Sequence, residues 1–113
     1  MHEMSLAMSV LQIIEEAANA QDFKRVRTVV LEIGKLAAVE PEALRFCFDA
    51  AAHGTCAAGA LLQIIETAGA GVCLACGQGV AMEESYGLCP DCGSGHLQIT
   101  AGNGMRVIDL VVE

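Results

Sequence analysis

The chain has no tryptophan, two prolines and only four other aromatic residues among its 113. With so few aromatic rings, its core must be assembled from aliphatic side chains and alanine. Basic residues are scarce as well. Six Lys and Arg stand against 14 Asp and Glu, a formal net charge of −8, and from Phe46 to Met105 there is no Lys or Arg at all. Nucleic-acid binders gather cations against phosphates, so that class is excluded. Long apolar runs are missing too. Ala50–Ile65 carries no Asp, Glu, Lys or Arg, but His53, Gly54, Thr55, Gly59 and Gln63 interrupt it. It falls short of the roughly 18 apolar residues of a membrane span. No basic n-region or cleavage pattern precedes Glu15 and Glu16, so no secretory leader is expected and the reading is cytoplasmic. In that compartment cysteines stay reduced and are more often ligands than disulfides.

What is present argues for a folded α+β chain. A mean hydropathy of +0.50 is far above that of disordered segments. Ser5 to about Gln21 is predicted as an amphipathic helix, with Ser5 as N-cap and Leu6, Val10, Ile13, Ile14 and Ala17 as its apolar face. Val26–Ile33 reads as a strand with Val29, Leu31 and Ile33 on one side. Pro41 suits the first position of a second helix, whose stripe is Leu44, Cys47, Phe48 and Ala51, with Gly54 as its stop. Leu61–Glu66, His96–Thr100 and Met105–Val112 read as further strands, the last two joined by a Gly-Asn-Gly turn at 102–104.

Gly69–Gly95 is dense in glycine and cysteine. Cys73-x2-Cys76 and Cys89-x2-Cys92 are separated by twelve residues, and each pair is followed by a glycine. Two thiolates at this spacing bind one metal from a tight turn, and two such turns complete a tetrahedral site. Only Tyr86 supplies a nearby aromatic, which favours zinc over rubredoxin-type iron. With no open position, the ion would be structural and its binding coupled to folding. Cys47 is assigned to a helix core and Cys56 to a small-residue turn, neither to a metal.

His2-Glu3 admits two readings. Composition alone is satisfied by an unstructured tail. Coordination chemistry offers another. The Met1 amine, the His2 amide nitrogen and the His2 imidazole can close adjacent five- and six-membered chelate rings in a square plane suited to Ni(II) or Cu(II). Three donors leave a fourth position for Glu3 or an outside ligand, which is what a carrier that releases its ion needs. Protons compete for the imidazole, so affinity should weaken in acid.

The Met1–Ala7 stretch, Leu31-Glu32-Ile33-Gly34-Lys35-Leu36, Val39–Phe46, the two cysteine pairs and Gly102–Arg106 together resemble the HypA/HybF family of nickel metallochaperones for [NiFe] hydrogenase maturation. The resemblance implies that His2, with Glu3 and main-chain nitrogens, binds Ni(2+), and that Cys73, Cys76, Cys89 and Cys92 bind Zn(2+). It implies two partners, a HypB-type GTPase and the hydrogenase large-subunit precursor. It also places Glu40 where some members use an acidic residue beside the nickel. His96, close to the cysteines, reads as an exposed strand-start residue or as a further nickel ligand; His53 reads as structural or merely exposed.

The resulting expectation is a small three-stranded sheet with two helices plus an inserted zinc ribbon. The nickel-binding α/β domain would comprise 1–69 and 97–113, and the ribbon 70–96. Function is read as non-enzymatic nickel carriage, with no nucleic-acid or membrane partner and with homodimerisation left open. The alternative is a zinc-ribbon adaptor whose N-terminus is inert. A metal-dependent hydrolase would need a preorganised pocket around an open metal, which a flexible terminus does not supply.

Overall fold

The computed structural model describes residues 2–113, so the Met1 amine invoked above lies outside the described residues. Two compact units divide the chain. One contains Met1–Leu31, Val39–Ile65 and Val107–Glu113, the other Glu32–Ala38 and Glu66–Arg106.

In the first unit, helix α1 (Glu3–Gln21) packs on helix α2 (Pro41–Ala52). The helix starts earlier than Ser5. His2 occupies the N-cap position, and Leu6 N–H donates the first intrahelical bond to the His2 carbonyl at 3.0 Å. The buried face is also rotated from the expected one. Ala7, Val10, Leu11 and Ile14 are buried, whereas Ile13 is largely exposed. Residues 7, 10, 11 and 14 follow the i, i+3, i+4, i+7 rule. Extending that face back one turn puts Glu3 on it. At the other end, Asp22 closes α1 in the left-handed conformation, its N–H bonded to the Ala18 carbonyl at 2.8 Å. Helix α2 begins as Pro41 predicts and buries Leu44, Phe48 and Ala52. Arg45 donates from Nε to the Leu62 carbonyl at 3.2 Å, tying α2 to the strand that begins at Leu61.

Six strands form two three-stranded sheets. The first, in the order β2-β1-β6, joins β1 (Val26–Gly34), β2 (Leu61–Thr67) and β6 (Met105–Val112). Central β1 buries Val29, Leu31 and Ile33, the face that alternation predicts, and also Val26 at its start. The second sheet, in the order β4-β3-β5, joins β3 (Gly69–Cys73), β4 (Gly79–Met82) and β5 (Leu97–Ala101). Strands β3 and β4 arise in the glycine-rich stretch where the pattern had given only loop. They pair antiparallel with Gly71 opposite Val80 and Val72 opposite Gly79. Because β5 pairs with the other side of β3, the cysteine unit extends on both sides of 70–96.

The second unit is packed on small residues. The inward positions of β3 are Gly69, Gly71 and Cys73. A Cβ on Gly71 would meet the Met82 Sδ at 2.5 Å and the Gln98 carbonyl oxygen at 2.7 Å. The space so kept free is filled by Leu36, Val80 and Met82, which form the core with Cys73 and Cys89. At Gly102 the backbone is left-handed, with φ of 84°, and a Cβ would lie 2.5 Å from the Ala68 carbonyl oxygen. Gly102→Ala is therefore expected to destabilise the zinc-loaded protein by roughly 1–3 kcal/mol, read as an earlier thermal transition. An unchanged transition would show that the turn can relax.

Candidate metal centre

The two cysteine pairs sit on matching turns. In the first, Gly77 N–H bonds to the Cys73 carbonyl at 2.7 Å and Cys73 N–H to the Gln78 carbonyl at 2.9 Å. In the second, Gly93 N–H bonds to the Cys89 carbonyl and Cys89 N–H to the Ser94 carbonyl, both at 2.8 Å. Both glycines, Gly77 and Gly93, have φ of 78°, a value other residues rarely adopt. That conformation folds each turn back on its first cysteine and frees main-chain N–H groups near sulfur. The Cys76 N–H lies 3.4 Å from the Cys73 Sγ.

All four sulfurs converge within 4.8 Å of one another. Across the two turns, Cys73 Sγ is 3.5 Å from Cys92 Sγ, and Cys76 Sγ is 3.7 Å from Cys89 Sγ. A disulfide would need about 2.05 Å. Four sulfurs around a tetrahedral zinc, each at about 2.3 Å, stand about 3.8 Å apart, which is close to these separations. Cys73 and Cys89 are buried, and Cys76 and Cys92 are exposed. The cluster therefore faces the core on one side and solvent on the other.

Proton chemistry matches a metal-binding set. The Cys76 N–H, above all, pulls the Cys73 thiol down to about 6, so one thiolate forms readily. The Gln78 N–H acts in the same direction on Cys76, but partial loss of water around its sulfur and the neighbouring sulfurs outweigh it and push that thiol up to about 12. Cys92 is also raised: the Ser94 N–H lowers it, but the Cys73 sulfur and partial loss of water prevail. Four thiolates this close repel one another without a cation among them. A divalent ion supplies that cation and displaces the protons. With four thiolates and no open position, this is the donor set of a structural zinc site, and zinc would hold the two turns together.

The N-terminal candidates are gathered in the other unit. His2 is exposed at the N-cap of α1. Glu3, expected to be exposed, is only 2 % accessible, because it lies on the buried face of the helix. Its Oε2 accepts the main-chain N–H of Glu40 at 3.2 Å, so Glu3 and Glu40 are neighbours. The Glu40 carboxylate itself caps α2 by accepting the Glu42 N–H at 3.0 Å. Glu3 thus joins the N-terminal ends of two helices, where a negative charge is favoured. Its Oε1, though buried, has no hydrogen-bond partner among the described residues. Sequence reasoning named Glu3 but missed its burial; the spacing to Ala7, Val10 and Ile14 carried that signal.

His96 is exposed beside the cysteines and belongs to their unit, not to that of His2. Its carbonyl accepts the Leu74 N–H at 2.9 Å, and its own N–H donates to Ser94 Oγ at 3.1 Å. These bonds fix its main chain at the edge of the zinc turns. His53 follows the last residue of α2 and is exposed, while Cys47 and Cys56 are half-buried and apart from the metal cluster.

Residues 1–112 match the family described as hydrogenase/urease nickel incorporation, metallochaperone, HypA. The hydrogenase maturation factor HypA of Dechloromonas aromatica (strain RCB) is 53% identical over 113 residues, covering all of both chains. That of Azotobacter vinelandii is likewise 53% identical over the full length of both. Among solved structures, the nickel metallochaperone HypA from Helicobacter pylori is similar with a TM-score of 0.73 and 27% identity. That likeness covers 99% of this chain and 97% of the other.

Proposed function

Because this chain belongs to the HypA family of nickel-incorporation metallochaperones, we propose that it carries Ni(II) at its N-terminus and delivers it to the [NiFe] hydrogenase large-subunit precursor. The observation that carries this reading is the buried Glu3 carboxylate, whose Oε1 lacks a partner among the described residues and which follows an exposed His2. A lone buried carboxylate oxygen is costly unless something binds it.

The start of a helix is a suitable place for such a site. Since the first intrahelical bond is made by Leu6 N–H, the amides before it have no helical acceptor. They can turn to a metal without breaking the helix. The Met1 amine, the His2 amide nitrogen and the His2 imidazole supply three donors in a plane. Glu3 offers the fourth, with Glu40 as a neighbouring acid. The cation would otherwise face two positive helix ends, and these two carboxylates offset that repulsion. A fourth position held by a single carboxylate can be surrendered to a ligand on the recipient. Carriage of this kind needs no catalysis.

Zinc at Cys73, Cys76, Cys89 and Cys92 is the structural cofactor in this reading, and nickel is the cargo. The partners are a HypB-type GTPase and the large-subunit precursor, met in the cytoplasm. No helix among the described residues is long and apolar enough to cross a membrane.

The reading is tested by nickel titration of the intact chain against one whose amine is buried in an N-terminal extension. The extended chain is expected to lose specific nickel binding and to keep one zinc per chain. Equal nickel affinity in both would overturn it. Glu3→Gln isolates the carboxylate. Glutamine still offers an oxygen to the Glu40 N–H, so the fold is expected to persist while nickel affinity falls roughly 10- to 100-fold by calorimetry. Unaltered affinity would remove Glu3 from the site.

A further inference from the structure

We propose that the cysteine unit carries a docking groove for an extended basic segment of a partner protein, which lays one apolar side chain against Tyr86 and Leu88 and sets Lys or Arg against Glu84. The groove has a volume of about 330 Å³, and its wall includes the consecutive residues Val80 to Glu84 with Tyr86, Leu88 and Leu97. Leu97 belongs to β5 on the far side of β3, so the groove reaches across one face of the sheet to Val80, Ala81 and Met82 of β4. That strand lies at the margin of its sheet. One row of its main-chain groups is therefore free to pair with an added strand, as in peptide recognition by strand addition.

The side chains around the groove suit such an occupant. Tyr86 is 75 % exposed and Leu88 is 69 % exposed, large apolar surfaces left in water. Tyrosine is enriched where proteins meet, because its ring contributes area at little entropic cost.

Charge selects the partner. The bases of this unit are Lys35 and Arg106. Lys35 is paired with Glu83 at 2.8 Å and Arg106 with Glu32 at 3.5 Å, and Glu84 on the groove makes no ion pair among the described residues. Four thiolates around a divalent zinc add two further negative charges nearby in sequence. Phosphate-bearing ligands and anionic membranes are repelled by such a surface, whereas a segment bearing Lys or Arg is drawn to it.

The test uses the zinc-loaded full-length chain and a positional-scanning array of hexapeptides. Selection of Lys or Arg flanking Leu, Val or Phe is expected. The selected peptide should bind Tyr86→Ser roughly tenfold more weakly, and Glu84→Lys more weakly still, with zinc content unchanged. His2→Ala should bind it with full affinity, since the groove is independent of nickel carriage. A preference for acidic peptides, no preference, or undiminished binding by both groove variants would overturn the proposal. So would a dimer, seen by sedimentation, that Glu84→Lys dissociates, because a second copy would then be the occupant.

Discussion

His2→Ala is expected to abolish specific nickel binding while zinc stays at one per chain. The structure makes this a clean substitution. The His2 side chain is exposed, and what it gives the fold is its carbonyl, which accepts the Leu6 N–H. Alanine keeps that carbonyl, so α1 should begin at the same residue. What is lost is the six-membered chelate ring between amide and imidazole. A drop of at least about 100-fold in affinity, near 2.7 kcal/mol, is the expected scale. Titration followed by the absorption of planar nickel would detect both the weakening and the change of geometry. Full-strength binding by the variant would move the cargo site away from the N-terminus.

Zinc removal should have the largest structural effect. The core of the cysteine unit is Leu36, Val80 and Met82 with two of the thiol-bearing side chains, supported by the half-buried Leu97 and Ile99. This is too little apolar area to order a sheet of short strands rich in glycine. Structural zinc binding is worth about 10–16 kcal/mol, as much as the whole stability of a small domain. Chelation, or Cys73→Ala, is thus expected to unfold β3, β4 and β5. Helices α1 and α2 have a core of their own in Ala7, Val10, Ile14, Leu44 and Phe48 and should survive. Amide NMR signals separate the outcomes: those of Gly71 and Val80 should collapse, those of Val10 and Phe48 should stay dispersed. Persistence of the Gly71–Val80 pairing in metal-free protein would show that the sheet stands without zinc.

The cysteine cluster was legible because its information is local. Two residues between ligands and a glycine after each pair define a turn wherever they occur, and the sequence alone located all four sulfurs. The helices were legible in number and, apart from the first turn of α1, in extent, but not in orientation. Leu6 and Ile13 look like core by hydropathy, yet the buried face runs through Ala7, Val10, Leu11 and Ile14. Which side of an aliphatic-rich helix is covered is set by what packs on it, and that contact, with α2, lies some forty residues away. The rotation mattered because it carries Glu3 inward. The second sheet was illegible for another reason. Gly69–Cys73 and Gly79–Met82 hold one β-branched residue each, Val72 and Val80, and Gly69 and Gly71 must stay small on the inward face of β3 to admit Leu36 and Met82. Leu36 could not be assigned to that core from its neighbours in sequence, because all its core partners follow residue 70.

Leu36 has a consequence for synthesis. Residues 32–38 leave the ribosome early but find their unit only once residues 66–106 have followed. The first sheet waits longer still, since β1 has β6, the last strand, as one of its two neighbours. Neither unit is a continuous stretch, so neither can be excised intact by a single cut.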